Sequence, residues 1–195
     1  MSARAILSLA LALFVLTFPA HAEVAEGPLE KLLKSAKGSL CYRRDYDAAH
    51  LERHPGQATQ SVLLSYGKDL TTRIMLRQRS RNYYIVASCD FSERAAYDSS
   101  GNLVLKAFKG PAGYGCIVIT ALDSAQEGGS AMLDPAGGDG STLTLHADSP
   151  VKARTKLDMN TRAIGLKLGS EDRQFHLTRT DQAACKAMDA KLKGL

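Results

Sequence analysis

Two histidines and a run of arginines are the residues of this sequence whose types and spacing could support chemistry. His50 and His54 lie four positions apart, so on a helix their imidazoles share one face. Such a pair could hold a metal ion if His146, His176 or an aspartate supplied a third ligand. Zinc proteases place a glutamate directly after the first histidine or directly before the second, and Glu52 lies at neither place. The spacing therefore favours a short capped helix, with a metal-dependent enzyme as the alternative.

The arginine run is the second candidate site. If residues 71–81 form one strand, four arginines project from the same face: Arg73, Arg77, Arg79 and Arg81. Side chains at i and i+2 stand about 6.6 Å apart on a strand, which suits the phosphate of an anionic lipid head group or an acidic glycan. Tyr83 follows and could pack beside such a ligand. The alternative is a solvated strand face whose charges discourage edge pairing.

All four cysteines lie downstream of the N-terminal apolar run: Cys41, Cys89, Cys116 and Cys185. An even number in an exported chain predicts two disulfides, and the absence of a CxxC pair disfavours zinc. Three pairings are compatible with the sequence. The favoured one joins Cys89 to Cys116 on nearby strands and ties the two ends together through Cys41 and Cys185.

The stretch Gly115-Cys116-Ile117 resembles part of the nucleophile motif of the L,D-transpeptidases, exported enzymes that act on peptidoglycan. The resemblance covers three residues, since Val118 stands where that motif has an arginine. A thiolate nucleophile needs a base within hydrogen-bond reach, and no histidine lies between His54 and Cys116. The sequence favours a disulfide cysteine over a hydrolase acting on envelope polymers.

The N-terminus has the pattern of an export signal. Arg4 precedes an apolar run at 5–18, and Ala20-His21-Ala22 has the small residues of a cleavage site. We expect residues 1–22 to be cleaved and 23–195 to form a single β-rich domain without a transmembrane segment. The formal net charge of +5 permits an anionic partner, whereas export argues against nucleic acid.

The elements that must position these residues follow from two periodicities. A helical stripe follows Pro28, Asp47 can cap a short helix, and Asp181 can cap a C-terminal one. Strand character recurs around Met132 and in segments 61–66, 70–79, 82–89, 102–108, 115–122, 142–147, 151–159, 164–168 and 174–178. We therefore expect an antiparallel β-barrel or sandwich of about eight or nine short strands with a short helix at each end.

These features predict an exported protein, periplasmic or secreted, that acts as a binding or envelope-associated module. The first alternative is a metal-dependent or hydrolytic enzyme that uses His50 and His54. The second is a protein inhibitor that presents the Gly- and Ser-rich segment 124–141 as a mobile loop. No cofactor is predicted, since the chain contains neither a GxxxxGK[ST] phosphate loop nor a GxSxG elbow.

Overall fold

The computed structural model describes residues 26–79, 81–92, 113–120, 128–135, 139–148 and 150–191. The helices are α1 (Pro28–Ser35), α2 (Ala48–Arg53) and α3 (Gln182–Lys191). The strands are β1 (Leu40–Asp45), β2 (Thr59–Tyr66), β3 (Thr71–Gln78), β4 (Arg81–Ser92), β5 (Gly113–Val118), β6 (Ser130–Asp134), β7 (Thr142–Ala147), β8 (Val151–Ala153), β9 (Ile164–Leu166) and β10 (Gln174–Arg179). The predicted leader 1–22 and the predicted strand 102–108 lie outside the described residues.

Eight antiparallel strands close into a barrel in the order β1-β10-β7-β6-β5-β4-β3-β2, and β8 and β9 form a separate two-stranded sheet. Each barrel strand pairs with the next barrel strand along the chain, and β10 closes the barrel by pairing with β1. The β8–β9 sheet is therefore an insertion into an up-and-down barrel. Closure gives every barrel strand a hydrogen-bonded neighbour on each side. The predicted mainly β fold with short terminal helices is confirmed.

The barrel interior is filled by the apolar side chains that alternate along each strand. This core includes Tyr42, Leu64, Ile74, Ile85, Leu133, Leu145 and Phe175, all at most 2% exposed. The disulfide between Cys89 and Cys116 also lies inside, where the two residues face each other across β4 and β5. The interior is therefore a packed core.

Helix α1 closes one end of the barrel. Leu29 and Leu33 are buried in the core cluster. The carboxylate of Glu30 accepts hydrogen bonds from the hydroxyls of Tyr66 and Tyr114, the latter at 2.6 Å. Burial, together with the hydrogen bond to Glu30, raises the pKa of both tyrosines above the ordinary value of 10.0. Both hydroxyls therefore stay protonated and act as donors.

The opposite end of the barrel is covered by the segment that contains β8 and β9, whose Val151, Ala153 and Leu166 join the same core cluster. The fully buried carboxylate of Asp172 holds the returning chain against the start of β2. It accepts hydrogen bonds from the backbone amides of Ala58 at 2.8 Å, Thr59 at 3.1 Å and Gly169 at 3.2 Å. Both mouths of the barrel are therefore occupied by the chain itself.

Helix α3 packs on the outer face of the barrel. Cys185 forms a disulfide with Cys41 of β1, and both join Leu63, Val86 and Met188 in a second buried cluster. Both predicted disulfide pairs are confirmed. Two disulfides indicate an oxidising, extracytoplasmic compartment. Among the described residues, no helix combines the length and apolar character that crossing a membrane requires.

The predicted strand 151–159 is shorter in the structure, because β8 ends at Ala153. The alternation placed Arg154 on a wet face, yet this residue is only 2% exposed. Its backbone pairs with Tyr84 of β4, and its guanidinium donates to the carbonyl oxygens of Ile119 and Thr120. These contacts bury the arginine and end the alternation.

Candidate functional site

The β3–β4 hairpin carries the arginines that the sequence singled out. Gln78 pairs with Arg81, so the chain reverses between them, and Arg79 lies at the reversal with a φ of 53°. The expected single row of arginines is therefore divided between two strands and a turn. The predicted strand segments 70–79 and 82–89 left a break at this place, although Arg79-Ser80 is not one of the Asn-Gly or Asp-Gly pairs that indicate a tight hairpin turn.

Arg73 lies on the outward side of β3 but is only 5% exposed. It is in register with Ser65 on β2 and Val86 on β4, and its Nη2 donates to Asp69 Oδ2 at 2.7 Å. Burial alone would raise the pKa of Asp69, but the hydrogen bond from Arg73 and the charge of Arg73 lower this pKa below its ordinary value. The expected exposure of Arg73 is not found, and its charge is already compensated.

Arg77 is exposed on the outer face of the barrel. In register with it lie Ser61 on β2 and Asn82 on β4, and Asp45 on β1 faces Ser61. These residues form one wall of an outer depression of about 350 Å³. The remaining lining is Arg43, Leu63, Met75 and Ala184. The outer depression therefore has polar walls and an apolar floor formed by Leu63, Met75 and Ala184.

Arg43 and Asp45 were missed by the sequence reasoning. Arg43 Nε lies 2.6 Å from Asp45 Oδ2, and both side chains are about half exposed. Partial burial alone would raise the pKa of Asp45. Hydrogen bonds from Arg43 and Ser61, together with the charges of Arg43 and Arg77, lower this pKa below its ordinary value. The short apolar run Leu40-Cys41-Tyr42 could have indicated β1, but nothing in the sequence placed it near residue 77.

Arg79 and Arg81 line a second depression, of about 490 Å³, at the barrel rim. Tyr83, Gln78 and Ala58 complete this rim depression. Its floor is held in place, because Ala58 N donates to the buried carboxylate of Asp172 and the amide of Gln78 donates to Thr59 at 3.3 Å. Two cations and a tyrosine thus surround a space large enough for a small anion.

The arginines of this surface differ in how far carboxylates compensate their charge, and the charge of Arg77 helps to lower the pKa of Asp45. Arg43 and Arg73 each have an acidic partner within 3 Å. Within the described part of the chain, Arg77, Arg79 and Arg81 form no ion pair, and all three are exposed. Their guanidinium groups remain able to bind an anion from solution.

His50 and His54 lie where a capped helix places them. Asp47 accepts a hydrogen bond from His50 N at 2.7 Å, and the two imidazoles stack with centroids 4.3 Å apart. His50 Nε2 lies 3.1 Å from Gln57, and His54 Nδ1 lies 3.4 Å from Glu171. One ring nitrogen of each histidine therefore contacts a protein side chain, and these two nitrogens are not directed at a common metal position.

The other predicted catalytic features are not assembled. No group of three or more His, Cys, Asp or Glu side chains among the described residues could hold a metal ion. Cys116 is bonded to Cys89, so it offers no thiolate in this state. The segment 124–141, expected to be a mobile loop, is described at 128–135 and 139–141 only. Its middle is β6, which confirms the strand expected around Met132.

Comparison of the chain with protein-family models, with curated proteins and with solved structures gives no significant match. The case for a function therefore rests on the geometry and charge of the β3–β4 hairpin.

Proposed function

We propose that this protein is a non-enzymatic binding module of the periplasm or the secreted space, and that it holds anionic envelope components on the β3–β4 hairpin. The observation that carries this proposal is the presence of three exposed arginines without a carboxylate partner in the described chain: Arg77, Arg79 and Arg81. Guanidinium groups match phosphate and carboxylate oxygens in a two-pronged geometry, so they suit these ligands.

The proposed location is supported by the two disulfides and by the export signal that the sequence predicts. The bonded cysteines are at most 2% exposed, so both bonds are part of the folded core. A buried disulfide of this kind is typical of structural bonds formed in an oxidising compartment. Anionic lipids and acidic glycans are ligands of the matching chemistry in such surroundings.

Charge predicts the strength of the interaction. Each arginine close to an anionic surface contributes about 1 kcal/mol, so the three together contribute about 3 kcal/mol. The attraction between exposed charges decays within about 8 Å at physiological ionic strength. Binding should therefore be strong at low salt and should weaken markedly as salt is added.

The test is a triple substitution, Arg77→Gln, Arg79→Gln and Arg81→Gln. A matched control carries Lys31→Gln, Lys37→Gln and Lys191→Gln, which removes the same charge from exposed positions away from the hairpin. Both variants should melt close to the parent, because exposed substitutions usually change stability by no more than about 0.5 kcal/mol. Retention is measured in two arms, on anionic lipid vesicles and on an immobilised acidic glycan.

We expect the parent and the control to be retained in at least one arm at low salt, and the arginine variant to be released. Absence of retention of the parent in both arms would refute the proposal. Equal losses in the two triple variants would show that net charge alone, and not the hairpin, is responsible.

A further inference from the structure

The arginines of the hairpin lie on two sides of it rather than along one face. Gln78 pairs with Arg81, and residues paired across two strands point to the same face. Arg77 is the neighbour of Gln78 along β3, so it points to the face opposite Arg81. Arg79 lies at the reversal between them. The three arginines without an ion pair in the described ranges therefore surround the tip.

The same two-sided arrangement holds for the tyrosines that follow. Tyr83 lines the rim depression with Arg79 and Arg81. Tyr84 lines a third depression of about 410 Å³ with Arg81, Asn82 and Thr155. Both tyrosines are partly exposed. Each face of the hairpin thus carries at least one arginine and one tyrosine, the combination that suits the boundary between water and lipid.

The hairpin also extends past its neighbour in the barrel. Pairing between β4 and β5 ends at Ala87 and Val118, whereas β4 begins six residues earlier at Arg81. Beyond that point, among the described residues, the outer edge of β4 accepts a hydrogen bond at Val86 O from Ile119 N at 2.8 Å and forms the bridge from Tyr84 to Arg154, and no strand pairs with residues 81–83 on that side. The tip with its arginines is therefore accessible from more than one direction.

We infer that the partner of this surface is an anionic lipid layer, and that the hairpin docks with its tip among the head groups. This inference rests on the proposed function and names its ligand. A linear glycan follows one groove and contacts the arginines of one face. A layer of lipid head groups surrounds a projecting tip and contacts the arginines and tyrosines of both faces at once.

Single tryptophans test this geometry, because the natural sequence contains none. Tyr83→Trp reports on the rim face and Tyr84→Trp on the outer face. Lys31→Trp, on α1 at the opposite end of the barrel, is the matched control. Emission is recorded with vesicles of equimolar phosphatidylglycerol and phosphatidylcholine, with pure phosphatidylcholine vesicles, and with soluble polygalacturonate. Circular dichroism checks that each variant folds.

With the anionic vesicles we expect a blue shift at both hairpin positions and none at position 31, and no shift with pure phosphatidylcholine. Quenching by lipids labelled at the head group should also be shared by both hairpin positions. The charge variants add a second readout: Arg77→Gln alone and the pair Arg79→Gln with Arg81→Gln should each weaken vesicle binding, by about fivefold per arginine.

Two results overturn the inference while leaving the proposed function intact. One is binding to polygalacturonate but not to the anionic vesicles. The other is vesicle binding in which only one hairpin position responds, or in which only one set of arginines matters. Absence of binding to either anion at low salt would refute the proposed function as well.

Discussion

Separate removal of the two disulfides should destabilise the protein by different amounts. The first variant carries Cys41→Ala with Cys185→Ala, and the second carries Cys89→Ala with Cys116→Ala. All four cysteines are at most 2% exposed, so the cost of replacing a buried sulfur by hydrogen is similar in both variants. The comparison therefore isolates the effect of the cross-link.

The expected difference follows from the lengths of the closed loops. The outer bond spans a sequence separation of 144 and the inner bond a separation of 27. Loop-closure entropy in the unfolded chain gives a stabilisation of about 5 kcal/mol for the longer loop and about 3.5 kcal/mol for the shorter one. We expect the variant without the outer bond to be less stable by about 1.5 kcal/mol than the variant without the inner bond.

Urea unfolding monitored by circular dichroism measures this difference, provided that the three proteins have similar dependences of stability on urea. Hydrogen exchange supplies a second readout. Loss of the outer bond should lower protection in α3, which that bond attaches to β1. An equal or larger loss of stability in the variant without the inner bond would refute the loop-entropy argument and would show that packing inside the barrel decides the order.

Three further predictions follow. Asp172→Ala should lower the free energy of unfolding, measured in urea, by about 3–5 kcal/mol, because three backbone amides lose a buried charged acceptor. Asp172→Asn should cost less, because its side chain keeps one oxygen that can accept. Equal losses in the two variants would contradict this role of Asp172. The lowered pKa of Asp69 means that its pairing with Arg73 stabilises the fold above about pH 3.8 and that this stabilisation is lost as pH falls through the folded pKa. Asp69→Asn should therefore lose stability at neutral pH and approach the parent in acid, and a difference that persisted at low pH would argue against the ion pair. In an absorbance titration, Tyr66 and Tyr114 should stay protonated well above pH 10 until the protein unfolds, since burial raises the pKa of both; ionisation of every tyrosine near pH 10 in the folded protein would contradict their burial.

The sequence predicted the features that depend on local chemistry. Alternation along the strands predicted an antiparallel β-barrel or sandwich, because one face of each strand must avoid water, and the structure decides for a closed barrel. Asp47 and Asp181 were correctly identified as helix caps, since a cap needs only a carboxylate within two or three residues of an amide. The disulfide pairs were preferred from the sequence, but only the register of β4 against β5 and the packing of α3 on β1 distinguish them from the alternatives.

The composition of the candidate site depended on contacts between distant residues. Alternation put Arg73 and Arg154 on wet faces, but it carries no information on what covers a face. Arg73 lies 5% exposed beside Asp69, and Arg154 is buried against the carbonyls of residues 119 and 120. In the same way, Arg43 reaches the surface next to Arg77 only because β1, β2 and β3 are neighbours in the barrel.

The sequence by itself therefore determined which residues could form strands, caps and disulfides, and that arginines are concentrated near position 77. The tertiary structure alone decided which of those arginines are exposed, which have acidic partners, and that Arg77 and Arg81 lie on opposite sides of a hairpin. The physical reason is range: caps and alternation act within a few residues of chain, whereas burial and charge compensation depend on the strands and helices that the fold brings together.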